Sequence, residues 1–244
     1  MNCLKTFKNR LSLFLNSFWL SRGFMACLYS VQRNRAARKV VNHAALSEEI
    51  FEIISSLGLN IFPFYGTLLF LIREGAITFA DDFDFATMDT IDVEQLVLSL
   101  ARKGAYPNGV VRDSSGKVYQ INFVYKGCSI DLAVIKNEGA VFSHEFVHFR
   151  NERAKVTYAN KSVLKEYSQI YRLTFPSFSL NYSSSLNALM PTQAEDILST
   201  IYGEDWMTPK NSNFIDYKNY SFIDRELLVI KGSVNKYLPK LLND

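Results

Sequence analysis

The segment YGTLLFLIREGAITFADDFDF, residues 65–85, contains three signals in a fixed order. Gly66 and Thr67 come directly before an apolar stretch with helical spacing, and an extended stretch carrying Asp82 and Asp84 follows that helix. A glycine between a strand and a helix lets a phosphate approach the backbone, and the helix N-terminus supplies N–H donors and a positive dipole. The segment therefore predicts a strand–helix–strand unit with a phosphate site at Gly66 and Thr67.

Three aspartates are the candidate metal ligands. Side chains alternate along a strand, so Asp82 and Asp84 are expected on one face while Phe83 and Phe85 enter the core. Asp131 interrupts an otherwise apolar strand, and a place beside the Asp82 strand would bring the three carboxylates together. Clustered carboxylates repel one another unless a cation compensates them, and Mg²⁺ prefers oxygen ligands. The three side chains are therefore predicted to be catalytic and to bind Mg²⁺, with Mn²⁺ as an alternative.

Arg73 is the remaining candidate for contact with a phosphorylated ligand. It follows Thr67 by roughly one and a half helical turns, and a guanidinium can neutralise phosphate charge. The same side chain can instead form a structural ion pair with Glu74 or with an aspartate. Both interpretations stay open at the level of the sequence.

Hydrophobic spacing and turn residues predict further elements on both sides of this segment. Helices are expected at residues 44–58, 68–74, 92–103, 191–203 and 222–242, and strands at 60–66, 76–88, 118–127 and 128–136. Residues 139–180 give only weak signals. The pattern predicts an α+β (α/β) domain with a small mixed sheet flanked by helices and with helical N- and C-terminal extensions. The expected divisions are a basic arm at 1–42, a main domain at 43–210 and an extension at 211–244.

Charge is unevenly distributed along the 244 residues. Eight of the 27 basic residues and none of the 24 acidic residues precede Glu48, so the rest of the chain has an excess of five acidic residues. An acidic body argues against nucleic acid as a partner. The apolar run at 11–20 is too short to span a membrane. We expect an interfacial helix on anionic lipid, a helix packed on the domain, or a signal sequence.

Cysteine usage bears on the compartment. Cys3, Cys27 and Cys128 are isolated and form neither a CxxC pair nor a plausible disulfide framework. A reducing compartment is therefore expected. The chain is predicted to be cytoplasmic, with peripheral contact to the inner membrane surface through residues 11–30. A membrane-anchored protein of the secretory-pathway lumen is the alternative.

The segment from His144 to His148 matches HExxH, the helical motif of zinc metalloproteases. That motif needs a helix that presents both histidines on one face, together with a third ligand. Here β-branched and aromatic residues flank the motif and favour an extended conformation. The sequence therefore argues against a zinc site at this position.

The order of the motifs resembles the signature of the nucleotidyltransferase-fold superfamily, and more narrowly that of the LicD/fukutin family. The similarity covers about residues 45–210. The matching positions are YGTLL at 65–69, Arg73, DDFD at 81–84, INFVYKGCSIDLAVI at 121–135 and YGEDWMTP at 202–209. The chain departs from the family pattern at four positions. Tyr65 and Phe70 stand where the family has glycines, and Phe79 and Ala80 stand where it often has tryptophan and aspartate.

The resemblance implies a nucleotidyltransferase fold with 43–210 as its catalytic domain. It also implies transfer of phosphocholine or a polyol phosphate from a CDP-alcohol donor to a sugar hydroxyl of a glycan or lipid-linked saccharide, with release of CMP. Asp82 and Asp84 would hold Mg²⁺ at the donor diphosphate, and Asp131 would complete the metal shell or accept the proton of the acceptor hydroxyl. Tyr202 and Trp206 are expected to be packing and turn residues and not to contact the donor.

Two other functions remain open. The first is a nucleotidyltransferase that moves a nucleoside monophosphate and releases pyrophosphate. The second is a non-catalytic family member that acts as a binding partner, which the altered glycine and tryptophan positions suggest.

Overall fold

A computed structural model describes residues 43–77, 82–88, 92–147, 154–159, 162–210 and 215–232. The basic arm and the apolar run within it lie outside the described residues, as do the predictions made for them. Among the described residues, every helix is too short or too polar to cross a membrane.

The described elements alternate at first between helices and strands and then become almost entirely strands. The helices are α1 (His43–Ser55), α2 (Tyr65–Glu74), α3 (Val93–Arg102) and α4 (Ala194–Tyr202), with a 3-10 turn at Tyr217–Asn219. The strands are β1 (Ile61–Pro63), β2 (Asp82–Thr87), β3 (Tyr106–Arg112), β4 (Val118–Tyr125), β5 (Cys128–Asn137), β6 (Val141–Phe146), β7 (Lys155–Ala159), β8 (Ser162–Pro176), β9 (Leu180–Ser183), β10 (Ala188–Pro191) and β11 (Tyr220–Gly232).

Six strands form a closed antiparallel barrel. Hydrogen bonding runs in the order β5-β4-β3-β11-β8-β6, and β6 also pairs with β5, which closes the ring. Strand β2 pairs with β5 in parallel outside this ring, and β1 pairs with β2. Strand β7 adds to β8, while β9 and β10 form a separate hairpin. The unit that carries the acidic residues is therefore attached to the barrel through β5.

The predicted fold class is wrong. The described part of the chain is mostly β, with strands in 47% of it, and the barrel with its additional strands replaces the expected small mixed nucleotidyltransferase sheet between helices. Four helices are present in the described part of the chain. The error arose in segments where burial alternates irregularly. Strand β8, for example, is 15 residues long and switches which side is buried along its length.

The helix predicted at 222–242 is also wrong for residues 222–232, which belong to strand β11. Strand β11 pairs with β8 on one side and with β3 on the other. Its apolar residues Leu227 and Ile230 lie three apart, a spacing that fits a helix, but here they lie on opposite faces of a strand, each buried in a different hydrophobic cluster. The helices predicted at 44–58, 92–103 and 191–203 are confirmed as α1, α3 and α4, and the hairpin of β4 and β5 is confirmed with its turn at Lys126 and Gly127.

One hydrophobic core lies between helices α1 and α3 and the sheet. Phe83 and Phe85 of β2 are fully buried there, as predicted, and the ring of Phe51 on α1 packs against Phe85 at 5.4 Å. A second core joins α2 and α4 to strands β6 and β8. Because Phe83 and Phe85 use one face of β2, the aspartates between and beside them lie on the other face.

Candidate metal centre

The three predicted carboxylates meet at one place. Strand β2 runs parallel to β5, and Asp84 stands directly opposite Asp131. One ligand oxygen from each of Asp82, Asp84 and Asp131 lies within 4.8 Å of the other two. Asp82 is exposed, while the other two are half-buried. The convergence expected from the sequence is therefore present in the structure, at an edge that solvent can reach.

Helix α2 fixes the position of Asp84. The backbone N–H of Gly66 donates to Asp84 Oδ2 at 3.0 Å, and the backbone N–H of Asp84 donates to Thr67 Oγ1 at 2.7 Å. A Cβ atom at Gly66 would lie 3.1 Å from Asp84 Oδ2, so glycine permits this close approach. Gly66 and Thr67, predicted as phosphate contacts, thus hold Asp84 in the structure described here, with Thr67 itself buried.

Asp131 is fixed from the other side by β4 and by its own strand. Asn122 Nδ2 donates to Asp131 Oδ1 at 2.6 Å, and Ser129 Oγ lies 3.3 Å from the same oxygen. Asn122 is opposite Asp131 in the hairpin register. A Cβ atom at Gly109 would lie 2.8 Å from Asn122 Oδ1, so the amide also depends on a glycine.

Asn122 and Ser129 were not predicted as site residues, although the hairpin register contains a signal for Asn122. A two-residue turn at Lys126 and Gly127 pairs Tyr125 with Cys128, and counting back along both strands places Asn122 opposite Asp131. Two polar residues facing each other inside apolar strands indicate a shared role. Hairpin register would therefore have identified the amide that supports Asp131.

The electrostatics of the cluster favour a cation. Burial raises the pKa of Asp84 well above its usual value, the charges of Asp82 and Asp131 raise it further, and the hydrogen bond from Gly66 lowers it. An anionic Asp84 is therefore costly without positive charge nearby. Hydrogen bonds to Asp84 Oδ2 and Asp131 Oδ1 fix the orientation of these two carboxylates. Three oxygen donors at this spacing suit a hard divalent ion such as Mg²⁺.

The first residue of α2 has a strained backbone. Tyr65 has a φ of 40°, in the left-handed region that bulky side chains seldom adopt. Its hydroxyl is hydrogen-bonded to His144 Nδ1 at 2.7 Å, and its ring packs against Phe64 and Phe146. Side-chain packing and this hydrogen bond thus compensate the strain next to Gly66.

His144 takes no part in a helical zinc motif. It lies on strand β6, which confirms the extended conformation expected there, while His148 is outside the described residues. Burial lowers the pKa of His144 to about 3, and the charge of Lys136 lowers it as well. The imidazole is therefore neutral at physiological pH, and it contacts Tyr65 from inside the second core.

Arg73 has an ion-pair partner. Its Nε lies 3.0 Å from Glu74 Oε1, and its guanidinium carbon lies 5.7 Å from the centre of the Phe70 ring. The side chain is 15% exposed. This pairing is the structural role that the sequence left open for Arg73, and the remaining N–H groups of the guanidinium stay chemically able to bind an anion.

Tyr202 and Trp206 are buried in the second core, where packing was expected for them. Burial raises the pKa of Tyr202, and the charges of Asp84, Tyr220 and Asp82 raise it further, while Arg73 lowers it. The phenol of Tyr202 therefore lies close enough to the acidic cluster for their charges to interact.

Comparison with known proteins adds no assignment: no family model, no curated protein and no solved structure matches the chain. The resemblance to the LicD/fukutin family therefore depends on the sequence motifs alone.

Proposed function

We propose that this chain is a Mg²⁺-dependent phosphotransferase that moves a phosphorylated alcohol from a CDP-activated donor to a sugar hydroxyl of a glycan, releasing CMP. The observation that carries the proposal is the meeting of Asp82, Asp84 and Asp131 within 4.8 Å. Phosphocholine and polyol phosphates, as the groups transferred, come from the motif resemblance.

The acidic cluster supports a metal-binding role because hydrogen bonds hold two of its carboxylates in fixed positions close together. Gly66 and Thr67 fix Asp84, and Asn122 fixes Asp131, so neither side chain can turn away to relieve the repulsion. Bound Mg²⁺ would neutralise the charge of a donor diphosphate and of the departing CMP. Such rigid positioning is what phosphoryl transfer requires of a protein, since most of the catalysis comes from orientation and charge.

The hydrogen bonds at Asp131 distinguish between its two expected roles. Donors at Oδ1 from Asn122 and Ser129 fix the orientation of the carboxylate, as a metal ligand requires. A ligand role is favoured by these contacts more than proton abstraction. Asp82, which is exposed, is better placed to face an incoming substrate than the half-buried Asp84.

A donor screen scored for CMP release tests the proposal. The purified protein is incubated with Mg²⁺, a set of CDP-alcohols and glycan acceptors, and CMP is measured for wild type and for Asp82→Asn. We expect the variant to fold normally and to lose turnover by several orders of magnitude, because one metal ligand is removed from a preorganised site. Thermal unfolding with and without Mg²⁺ gives a second readout, in which only the wild type gains stability.

The matched control is Asp224→Asn, since Asp224 is exposed and an asparagine can still accept the hydrogen bond from Gln169. This control is expected to keep both turnover and stabilisation by Mg²⁺. Equal turnover in wild type and Asp82→Asn would remove Asp82 from the mechanism. Release of pyrophosphate from nucleoside triphosphates instead of CMP would show a nucleotidyltransferase, and absence of any Mg²⁺-dependent nucleotide binding would favour a non-enzymatic role.

A further inference from the structure

A pocket of about 570 Å³ opens at the C-terminal end of α4. Its walls come from α4, from the turn that follows it and from the 3-10 turn at Tyr217–Asn219, and they include Ser199, Tyr202 and Asn219. Small-molecule sites usually have volumes of roughly 300–1,000 Å³. The pocket is thus large enough for a sugar ring with its substituents.

Tyr202 connects the pocket to the core around helix α2. Tyr202 lines the pocket and is also part of the core that contains Leu68 of α2 and the ring of Tyr65. Helix α4 packs against α2, whose first turn holds Asp84. The influence of the Asp84 charge on the phenol of Tyr202 agrees with this proximity. A ligand in the pocket would therefore contact a helix that packs against the helix holding Asp84.

A glycine allows two carboxylates to approach the turn that lines the pocket. Gly203 has a φ of 91°, and a Cβ atom there would lie 3.3 Å from Asp216 Oδ2 and 3.4 Å from Asp205 Oδ1. The N–H of Asp216 donates to the carbonyl of Ile201 at 3.0 Å, which ties the 3-10 turn to α4. The acidic walls are therefore positioned by backbone contacts on both sides.

Two of the three carboxylates that line the pocket pair with its two lysines, and Glu204 is the third. Lys210 Nζ lies 2.5 Å from Asp205 Oδ1, and Lys218 Nζ lies 3.7 Å from Asp216 Oδ2. A phosphate site would require cations that are not already balanced by carboxylates. This lining offers donors and acceptors together with an excess of carboxylates, which suits an uncharged ligand rich in hydroxyl groups better than a phosphate, since each hydroxyl both donates and accepts.

We propose that this pocket is the acceptor subsite, where a sugar presents its hydroxyl to the donor held at the acidic cluster. The assignment rests on the proposed phosphotransfer. In that reaction the acceptor oxygen forms a bond to the phosphorus of the transferred group, the bond from that phosphorus to the CMP oxygen breaks, and the hydroxyl proton leaves to solvent or to a carboxylate. The donor and the acceptor then occupy separate sites.

Ser199→Phe tests the assignment by filling the pocket. Ser199 donates to the carbonyl of Asp196 three residues earlier, and Ser55→Phe is the control, because Ser55 makes the same bond to Glu52 on α1 away from the pocket. Methyl glycosides of glucose, galactose, N-acetylglucosamine and N-acetylgalactosamine serve as probes in amide NMR titrations of the full chain. Mg²⁺ with CDP-choline is titrated separately.

We expect at least one glycoside to shift the amides of Gly203 and Asn219 in wild type and in the control, with binding at least tenfold weaker in Ser199→Phe. In the same variant, Mg²⁺ with CDP-choline should still shift the amide of Gly66. If no glycoside moves the pocket amides, or if Ser199→Phe binds as wild type does, the acceptor assignment is wrong. It is equally wrong if the donor, and not the glycosides, shifts Gly203.

These outcomes separate the subsite from the proposed function. A failed acceptor assignment leaves intact the shift of Gly66 by Mg²⁺ with CDP-choline and the release of CMP. If the proposed function is wrong, neither the shift of Gly66 nor the release of CMP is observed. Glycoside binding at Gly203 can still be measured in that case, because it does not require turnover.

Discussion

Tyr65 combines a strained backbone with a buried hydrogen bond, one residue before the glycine that holds Asp84. Tyr65→Phe removes the hydrogen-bond partner of His144 Nδ1. His144 Nε2 has no hydrogen-bond partner among the described residues, so the buried imidazole of the variant would have none at either nitrogen. We expect a loss of about 1–3 kcal/mol in the free energy of unfolding, measured by urea denaturation. Tyr182→Phe is the control, since its hydroxyl donates to Asn187 at the surface. A similar loss in both variants would contradict a special role for the Tyr65 contact.

His144 predicts a pH dependence of stability. Its pKa is about 3 in the folded protein, because of burial and the charge of Lys136, against 6.5 for an unperturbed histidine. As pH falls below 6.5 the unfolded chain binds a proton at this position while the folded chain does not, so stability decreases by about 1.4 kcal/mol per pH unit until pH approaches 3. Above pH 6.5 the residue contributes no pH dependence.

His144→Gln removes this contribution. Between pH 7 and pH 5 we expect the wild type to lose about 2 kcal/mol more stability than the variant, as measured by urea unfolding at both values. Parallel pH profiles for the two proteins would show that the histidine is protonated in the folded state.

At the scale of single elements, the acidic strand and the hairpin were predictable while their pairing was not. Alternation along β2 and the polar residue within β5 placed the aspartates on strands, since side-chain period is a local property. That β2 lies parallel to β5 with Asp84 opposite Asp131 depends on contacts between residues far apart in sequence. The supporting roles of Gly66 and Thr67 likewise require the distance between α2 and β2, which the sequence does not give.

Strands β5, β6 and β11 are joined by a buried charge. Glu145 on β6 is 1% exposed and contacts Lys136 Nζ at 2.5 Å and Arg225 Nε at 3.1 Å. Glu145→Ala leaves both cations without this partner, and we expect a loss of about 3 kcal/mol or more in stability. Glu166→Ala removes an exposed pair with Lys155 and should cost at most about 1 kcal/mol. Thermal and urea unfolding compare the two, and equal losses would contradict a structural role for Glu145.

At the scale of the whole molecule, closure of the barrel could not be predicted from the sequence. Closure depends on β11 lying between β3 and β8 and on β6 pairing with both β8 and β5. The paired residues of β3 and β11 are more than a hundred positions apart in the sequence. Local patterns cannot encode such neighbours, because the period of burial in β8 and β11 changes along each strand. The helix predicted across β11 shows that a spacing of three between apolar residues is ambiguous when both faces of a strand are buried.

Ile230 tests whether β11 closes the barrel. It is fully buried, and it stands opposite Val110 of β3 and Leu164 of β8. A carboxylate at this position would be buried between two strands without a partner, a change that costs several kcal/mol. We therefore expect Ile230→Asp to abolish cooperative unfolding or to yield insoluble protein, as judged by circular dichroism during urea denaturation and by gel filtration.

Phe222→Asp on the same strand provides the comparison, because Phe222 is 60% exposed and lies before the register shift. We expect this variant to unfold cooperatively with a stability within about 1 kcal/mol of wild type. If Ile230→Asp also unfolds as wild type does, β11 does not lie between β3 and β8, and the ring of six strands is open. Since β3 pairs with β4, and β4 carries Asn122, an open ring would also weaken the support of Asp131 at the metal centre.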